Sequence, residues 1–261
     1  MGTEKRARQK ANRQARLDEL ARDQRNRSIR RRVLTWGGLI ALFVVAAVVI
    51  SMAFGGDDDP EVDASGTTSP PTTADPLPCP PADGSASPTQ EFPAPPPMCI
   101  DPAKTYTAEI VTNKGPVTVE LDAQAAPNAV NSFVYLARYH FFDGVPCHRI
   151  ISGFVVQCGD PTGSGSGGPG YEFDDELPSE PYAIGDLAMA NSGPNTNGSQ
   201  FFIITGEQGA ALPLDYTRFG RVTAGMDSTV VALDAAADPN ATNGVPTAEP
   251  IALESVTITE T

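Results

Sequence analysis

The chain has 261 residues, 40% hydrophobic and 19% charged, enough for one sizeable core plus appendages. Its net charge of -14 hides a division, because residues 1–32 hold 12 of the 18 Lys+Arg and only 4 of the 32 Asp+Glu, leaving everything after them strongly acidic. Such polarity reports topology or partners rather than fold, and a basic arm with few aromatics and no core of its own does not make a nucleic-acid domain.

Residues 1–32 therefore read as a basic cytoplasmic segment, ending in Arg30, Arg31 and Arg32. Residues 33–54 form an uncharged apolar run, VLTWGGLIALFVVAAVVISMAF, long enough to cross a hydrocarbon core of about 30 Å as one helix. A cleaved secretory signal would have a shorter apolar core, about 7–15 residues, and a small-residue cleavage site. The arginines before the run and Asp57, Asp58 and Asp59 after it keep the N-terminus inside and export the rest. The expectation is a single-pass signal anchor in the plasma membrane, with everything downstream extracytoplasmic.

Residues 55–103 contain 13 of the 25 prolines, with Thr, Ser, Ala and Asp between them. That composition predicts a disordered, extended linker that holds a domain off the lipid. The four cysteines, Cys79, Cys99, Cys147 and Cys158, suit an oxidising compartment. Three connectivities are open, and proximity favours Cys79 with Cys99 and Cys147 with Cys158. Strict strand alternation, however, sends the side chains of Cys147 and Cys158 to different sides unless the strand is bulged. Metal binding is not expected, since no Cys-x-x-Cys occurs and there are only two histidines.

The folded domain is expected over residues 104–261. Tyr106–Thr112 and Val117–Leu121 alternate around Asn113-Lys-Gly-Pro116, a hairpin signal. Pro127 sits where a helix begins, and Val130, Phe133, Val134 and Ala137 follow helical spacing. A strand pattern runs through His148 and Arg149 to Ile151. A polar turn holding Gly193, Pro194, Asn195, Asn197 and Gly198 then leads into Gln200-Phe-Phe-Ile-Ile204. Alternation there puts Gln200 and Phe202 on one face and Phe201 and Ile203 on the other. An amide beside an aromatic ring, next to a shaped loop, suits gripping a peptide better than breaking a bond; the alternative is a plain hairpin with a buried strand. A second, shorter helical pattern covers Met226 to Asp234, an acidic segment to Glu249 reads as a long loop, and Ile251–Ile258 is a last strand ready to pair with the first.

Several motifs carry no chemistry. Gly163, Gly165 and Gly168 match a dinucleotide fingerprint by letter, but Pro169 follows and no helix waits for a phosphate. No nucleophile elbow precedes a helix. Asp174, Asp175 and Glu176 read as solvated loop acids, and His148 as structural rather than as a base. His140, among aromatics, reads as a partly buried polar tip.

Two stretches, Ala188–Ile203 and His148–Gln157 running on to Gly159 and Asp160, closely resemble the cyclophilins, a class of peptidyl-prolyl cis-trans isomerases. The resemblance covers roughly residues 104 to 261 and points to a membrane-anchored bacterial form. It implies a mainly β fold, a closed eight-stranded antiparallel β-barrel capped by two helices. It also implies acceleration of Xaa-Pro isomerisation in exported or cell-envelope proteins. That reaction meets a barrier of about 18–20 kcal/mol and breaks no bond, so no cofactor is needed.

By the same resemblance Arg149 takes the catalytic position. Phe154 and Phe202 wall a proline pocket with Leu212 at its floor. Gln157 and Gln200 face the substrate backbone, and Ala190 and Asn191 pair with the peptide. Val155 stands where methionine is usual, Ser192 where alanine is, and Tyr216 replaces a histidine. Ala211 occupies the position of a tryptophan associated with tight cyclosporin binding, so weak binding of that ligand is expected. The partners implied are proline-containing polypeptides, with residues 33–54 in the membrane and no nucleic acid. Two other readings are a tethered, non-catalytic chaperone module that binds proline peptides, and a structural cell-envelope protein that uses the barrel for assembly.

Overall fold

The computed structural model describes residues 75–261. The basic segment 1–32 and the apolar run 33–54 lie outside the described residues, and among the described residues no helix is long and apolar enough to cross a membrane. Eight strands form one antiparallel sheet: β1 (Tyr106–Thr112), β2 (Gly115–Leu121), β3 (Arg149–Ile151), β4 (Val155–Cys158), β5 (Asp186–Met189), β6 (Phe201–Ile204), β7 (Arg218–Ala224) and β8 (Leu253–Glu260). Their spatial order is β3-β4-β6-β5-β7-β2-β1-β8. The hairpin expected around Asn113 is β1–β2, in register from Tyr106↔Leu121 to Thr112↔Gly115, and β8 pairs with β1 on its other side.

The sheet curls on itself, but the full closure expected from sequence is not a continuous ladder. Between the edge strands there is one bridge, Pro146↔Ala252, supported by Cys147 N to Ile251 O at 2.9 Å and Leu253 N to Val145 O at 2.8 Å. Pro146 sits at the non-hydrogen-bonded position of this bridge, where its neighbours make both bonds and a missing N–H is tolerated.

Helix α1 (Pro127–Arg138) starts at its proline as expected. The carboxylate of Glu176 accepts from Asn128 N at 3.0 Å and Ala129 N at 2.9 Å, so it occupies the orphan donors of the first turn. Asp175 accepts from Asn195 N at 2.8 Å and Asn197 Nδ2 at 2.9 Å. These two acids, expected to be merely solvated, tie the helix and the 193–197 turn to one loop. The second expected helix is a turn of π-helix, Met226–Val230, running into α3 (Val231–Asp234). A four-residue helix that the pattern had not suggested, α2 (Glu207–Ala210), follows β6.

The largest correction concerns the expected linker. From Leu77 onward the chain is packed against the domain, and the residues between 77 and 103 carry core side chains: Phe92 is 3% exposed and Ile100 is 7% exposed. Tyr135 and Tyr139 donate their hydroxyls to the carbonyls of Leu77 and Pro78 at 3.2 and 2.9 Å. Asn131 accepts from Cys99 N at 2.7 Å and donates to Pro97 O at 2.9 Å. Every residue of α1 from Ala129 to Arg138 is consequently buried, on the outer face as well as the inner one. Proline-rich backbone keeps its carbonyls free, and here they serve as acceptors for the helix's polar side chains. A disulfide, Cys79–Cys99, closes this segment on itself.

Candidate active site

Cross-strand register assembles the site. Arg149 pairs with Gln157, Gln157 with Phe202, and Phe202 with Ala188 across β3, β4, β6 and β5. The next row, Ile150, Val156, Ile203 and Leu187, points the other way into the main core. Period-two alternation thus builds a buried interior and an outer groove from the same four strands. Beneath the groove lies a second apolar cluster of Val155, Tyr182, Ala188, Phe202 and Ile204, with Phe154, Leu212 and Tyr216 packed on it.

Arg149, Phe154, Val155, Gln157, Ala190, Asn191, Phe202, Leu212 and Tyr216 line one cavity of about 430 Å³. Gln200 and Ser192 line a neighbouring cavity of about 620 Å³, which shares Gln157, Ala190 and Asn191 with the first. The eleven residues singled out from sequence therefore meet in one region, although two of them face the adjoining cavity. Phe202 and Tyr216 meet edge to face with centroids 5.4 Å apart. Ala211 is exposed at the end of α2 and lines neither cavity.

Three of the five N–H donors of the Arg149 guanidinium are engaged within the protein. Its Nε donates to Asn243 O at 3.1 Å, its Nη2 to Asn243 Oδ1 at 3.0 Å and its Nη1 to Gln157 Oε1 at 3.2 Å. Its Cζ stands 5.7 Å from the Phe154 ring centroid, a cation–π distance. Gln157 in turn donates to Gln200 Oε1 at 2.9 Å, and Gln200 to Gly167 O at 2.9 Å. Burial pulls the pKa of Arg149 down, and Tyr216 opposes that; an arginine remains cationic regardless. The arrangement presents a fixed cation at the edge of an apolar pocket, with two ordered amides beside it.

Asn243 and Val245 were not singled out from sequence, yet both line the groove. They come from the acidic segment expected to be a long loop. Gly244 (φ +77) lets that loop approach β3, since a Cβ there would fall 2.6 Å from Ile150 O. The Asn243-Gly244 pair is the local signal that could have marked this turn. His148 also lines the cavity. Burial, aided by the neighbouring Arg149, pushes its pKa down against the pull of Asp160. Both its ring nitrogens are shielded and without partners among the described residues.

Cys147 and Cys158 form the second disulfide. Strand alternation does not separate the two sulfurs as expected, because β3 begins only at Arg149 and Cys147, outside it, is not bound by strand parity.

Comparison with known proteins decides the family. The family model described as cyclophilin type peptidyl-prolyl cis-trans isomerase/CLD matches residues 107–258. The chain belongs to the cyclophilins. It is 44% identical over 140 residues to a protein named probable peptidyl-prolyl cis-trans isomerase B of Mycobacterium tuberculosis, covering 48% of this chain but only 44% of that protein. It is 42% identical over 179 residues to probable peptidyl-prolyl cis-trans isomerase A of Mycobacterium bovis, covering 60% of this chain and 94% of that protein. Among solved structures, a cyclophilin type isomerase of Cryptosporidium parvum aligns with a TM-score of 0.54 and 34% identity, over 59% of this chain and 98% of its own. The same protein has been crystallised in the presence of the dipeptide Ala-Pro.

Proposed function

We propose that this cyclophilin accelerates cis-trans isomerisation of Xaa-Pro bonds, with Arg149 as the catalytic residue. The observation that carries this is the clamped guanidinium beside an apolar cavity walled by Phe154 and Phe202 and floored by Leu212. Rotation is slow because the amide C–N bond is partly double. A cation directed at the prolyl nitrogen draws its lone pair out of resonance, while the apolar walls hold the ring and Gln157 and Gln200 offer partners to the flanking backbone. The interaction strengthens as the bond twists, so it lowers the barrier rather than merely binding the substrate. No covalent step is involved.

We also propose that residues 33–54 anchor the chain in the plasma membrane with the isomerase domain outside, where exported or cell-envelope proteins would be its clients. The apolar run, its flanking charges and two disulfides support this reading. The test of function is exchange spectroscopy by NMR on a short Xaa-Pro peptide with catalytic amounts of protein. Accelerated exchange is expected. Binding without acceleration would instead identify a non-catalytic module that captures proline peptides.

A further inference from the structure

The two cavities share a wall. Gln157, Gly165, Ala190 and Asn191 line both, so a peptide longer than a dipeptide that fills the groove runs on into its neighbour. The far side of the neighbouring cavity is the stretch from Gly165 to Glu172, which contains neither helix nor strand. Its first half is wound onto Asp160, whose Oδ2 accepts from Gly165 N at 2.6 Å and Gly167 N at 3.1 Å. Its second half, Pro169–Tyr171, has a different support, outside the residues that the family model matches.

That support is Phe92. Its N–H donates to Pro169 O at 2.8 Å. Its carbonyl stands where a Cβ on Gly170 (φ +98) would fall, 2.6 Å away, so the two backbones are as close as a glycine permits. Its ring packs among Tyr135, Tyr139, Phe141 and Tyr171 at centroid distances of 5.2, 5.5, 6.2 and 6.3 Å. The segment around it is itself fixed to the C-terminal end of α1 by Thr89 N to Tyr139 O at 3.0 Å, and closed on itself by Cys79–Cys99.

We infer that Phe92 is a positioning residue for substrate selection, holding the wall of the second cavity so that the protein favours peptides extended beyond the prolyl dipeptide. A loop without a ladder loses conformational entropy when a ligand orders it, and prior fixation removes that cost only for ligands that reach it. A ligand confined to the proline pocket gains nothing. This rests on the groove being the prolyl-peptide site.

The test uses the full chain in detergent. Binding of Ala-Pro is measured by ligand-observed NMR, and binding of an Ala-Ala-Pro-Phe peptide by titration, for wild type, Phe92→Ala and Gly170→Ala. Gly170→Ala disturbs the same contact from the loop side and serves if Phe92→Ala does not fold; circular dichroism establishes which variants are folded. The expected result is about a tenfold loss of affinity for the tetrapeptide with the dipeptide unchanged within about twofold, a differential of about 1.4 kcal/mol. Equal losses for both peptides, or none, in a folded variant would overturn the inference. Wild-type protein that binds neither peptide would overturn the groove reading itself, and this inference with it.

Discussion

At the scale of single residues, the loop beside the site is organised by one buried carboxylate and the donors it collects. Asp160 is fully buried, and burial alone would push its carboxyl up. Hydrogen bonds from Thr162 Oγ, Gly167 N, Thr162 N and Gly165 N together outweigh that and hold it at about 2. A depressed carboxyl contributes stability above its unfolded pKa, near 3.9, and loses it as pH falls through the folded value. The 160–167 loop should therefore loosen between about pH 4 and pH 2, and Asp160→Asn should cost on the order of 2 kcal/mol at neutral pH. Denaturant titration of wild type and variant at pH 7 and pH 3 checks this; a variant deficit unchanged at pH 3 would place the stabilisation elsewhere. Ala211 raises a different question. By the family resemblance a tryptophan there favours cyclosporin, and an indole would add contact area and a donor on the exposed end of α2. Ala211→Trp is expected to tighten cyclosporin binding appreciably in titration calorimetry, and equal affinities would show that this position does not control it.

Among the elements, those with a strong period were legible and those held by tertiary contacts were not. The β1–β2 hairpin, α1 and the two faces of β6 follow from alternation, from Pro127 and from 3.6-residue spacing. The 77–103 segment defeats such reading. Its composition is that of a spacer, while Phe92, Ile100 and the disulfide that fix it are isolated within that composition. The loop carrying Asn243 defeated it for the same reason, since its partner Arg149 lies 94 residues away in sequence. Cys79–Cys99 spans 20 residues, a closure worth about 3 kcal/mol by chain entropy. Replacing both cysteines by alanine should lower unfolding free energy by about that amount while the groove around Arg149, on other elements, stays assembled. A loss well under about 1 kcal/mol would mean that packing on α1 alone holds the segment.

For the whole molecule, the curled sheet and the position of the groove were legible because long motifs fixed them, whereas the single bridge at Pro146 and the packing of residues 77–103 against the domain were not. The site was legible where the family resemblance covers it, as with Arg149, Gln157 and Phe202, which cross-strand register then brings together, and illegible where a distant loop supplies the partner. The proposed topology has its own check: protease added to spheroplasts should remove the domain and leave a small N-terminal stub, and full protection with the membrane intact would rule out that orientation. The central claim is that a clamped guanidinium beside an apolar pocket catalyses prolyl isomerisation. Catalytic efficiency of Arg149→Ala on an Xaa-Pro peptide, measured beside a thermal melt, tests it most directly. A fall of about 10²–10³ is expected, the loss of about 2.7–4 kcal/mol typical of removing one preorganised electrostatic donor. Arg149→Lys should recover little, because a point charge cannot reproduce the planar fork that Asn243 and Gln157 hold. An Arg149→Ala protein that melts normally and isomerises the peptide at the wild-type rate would contradict the account.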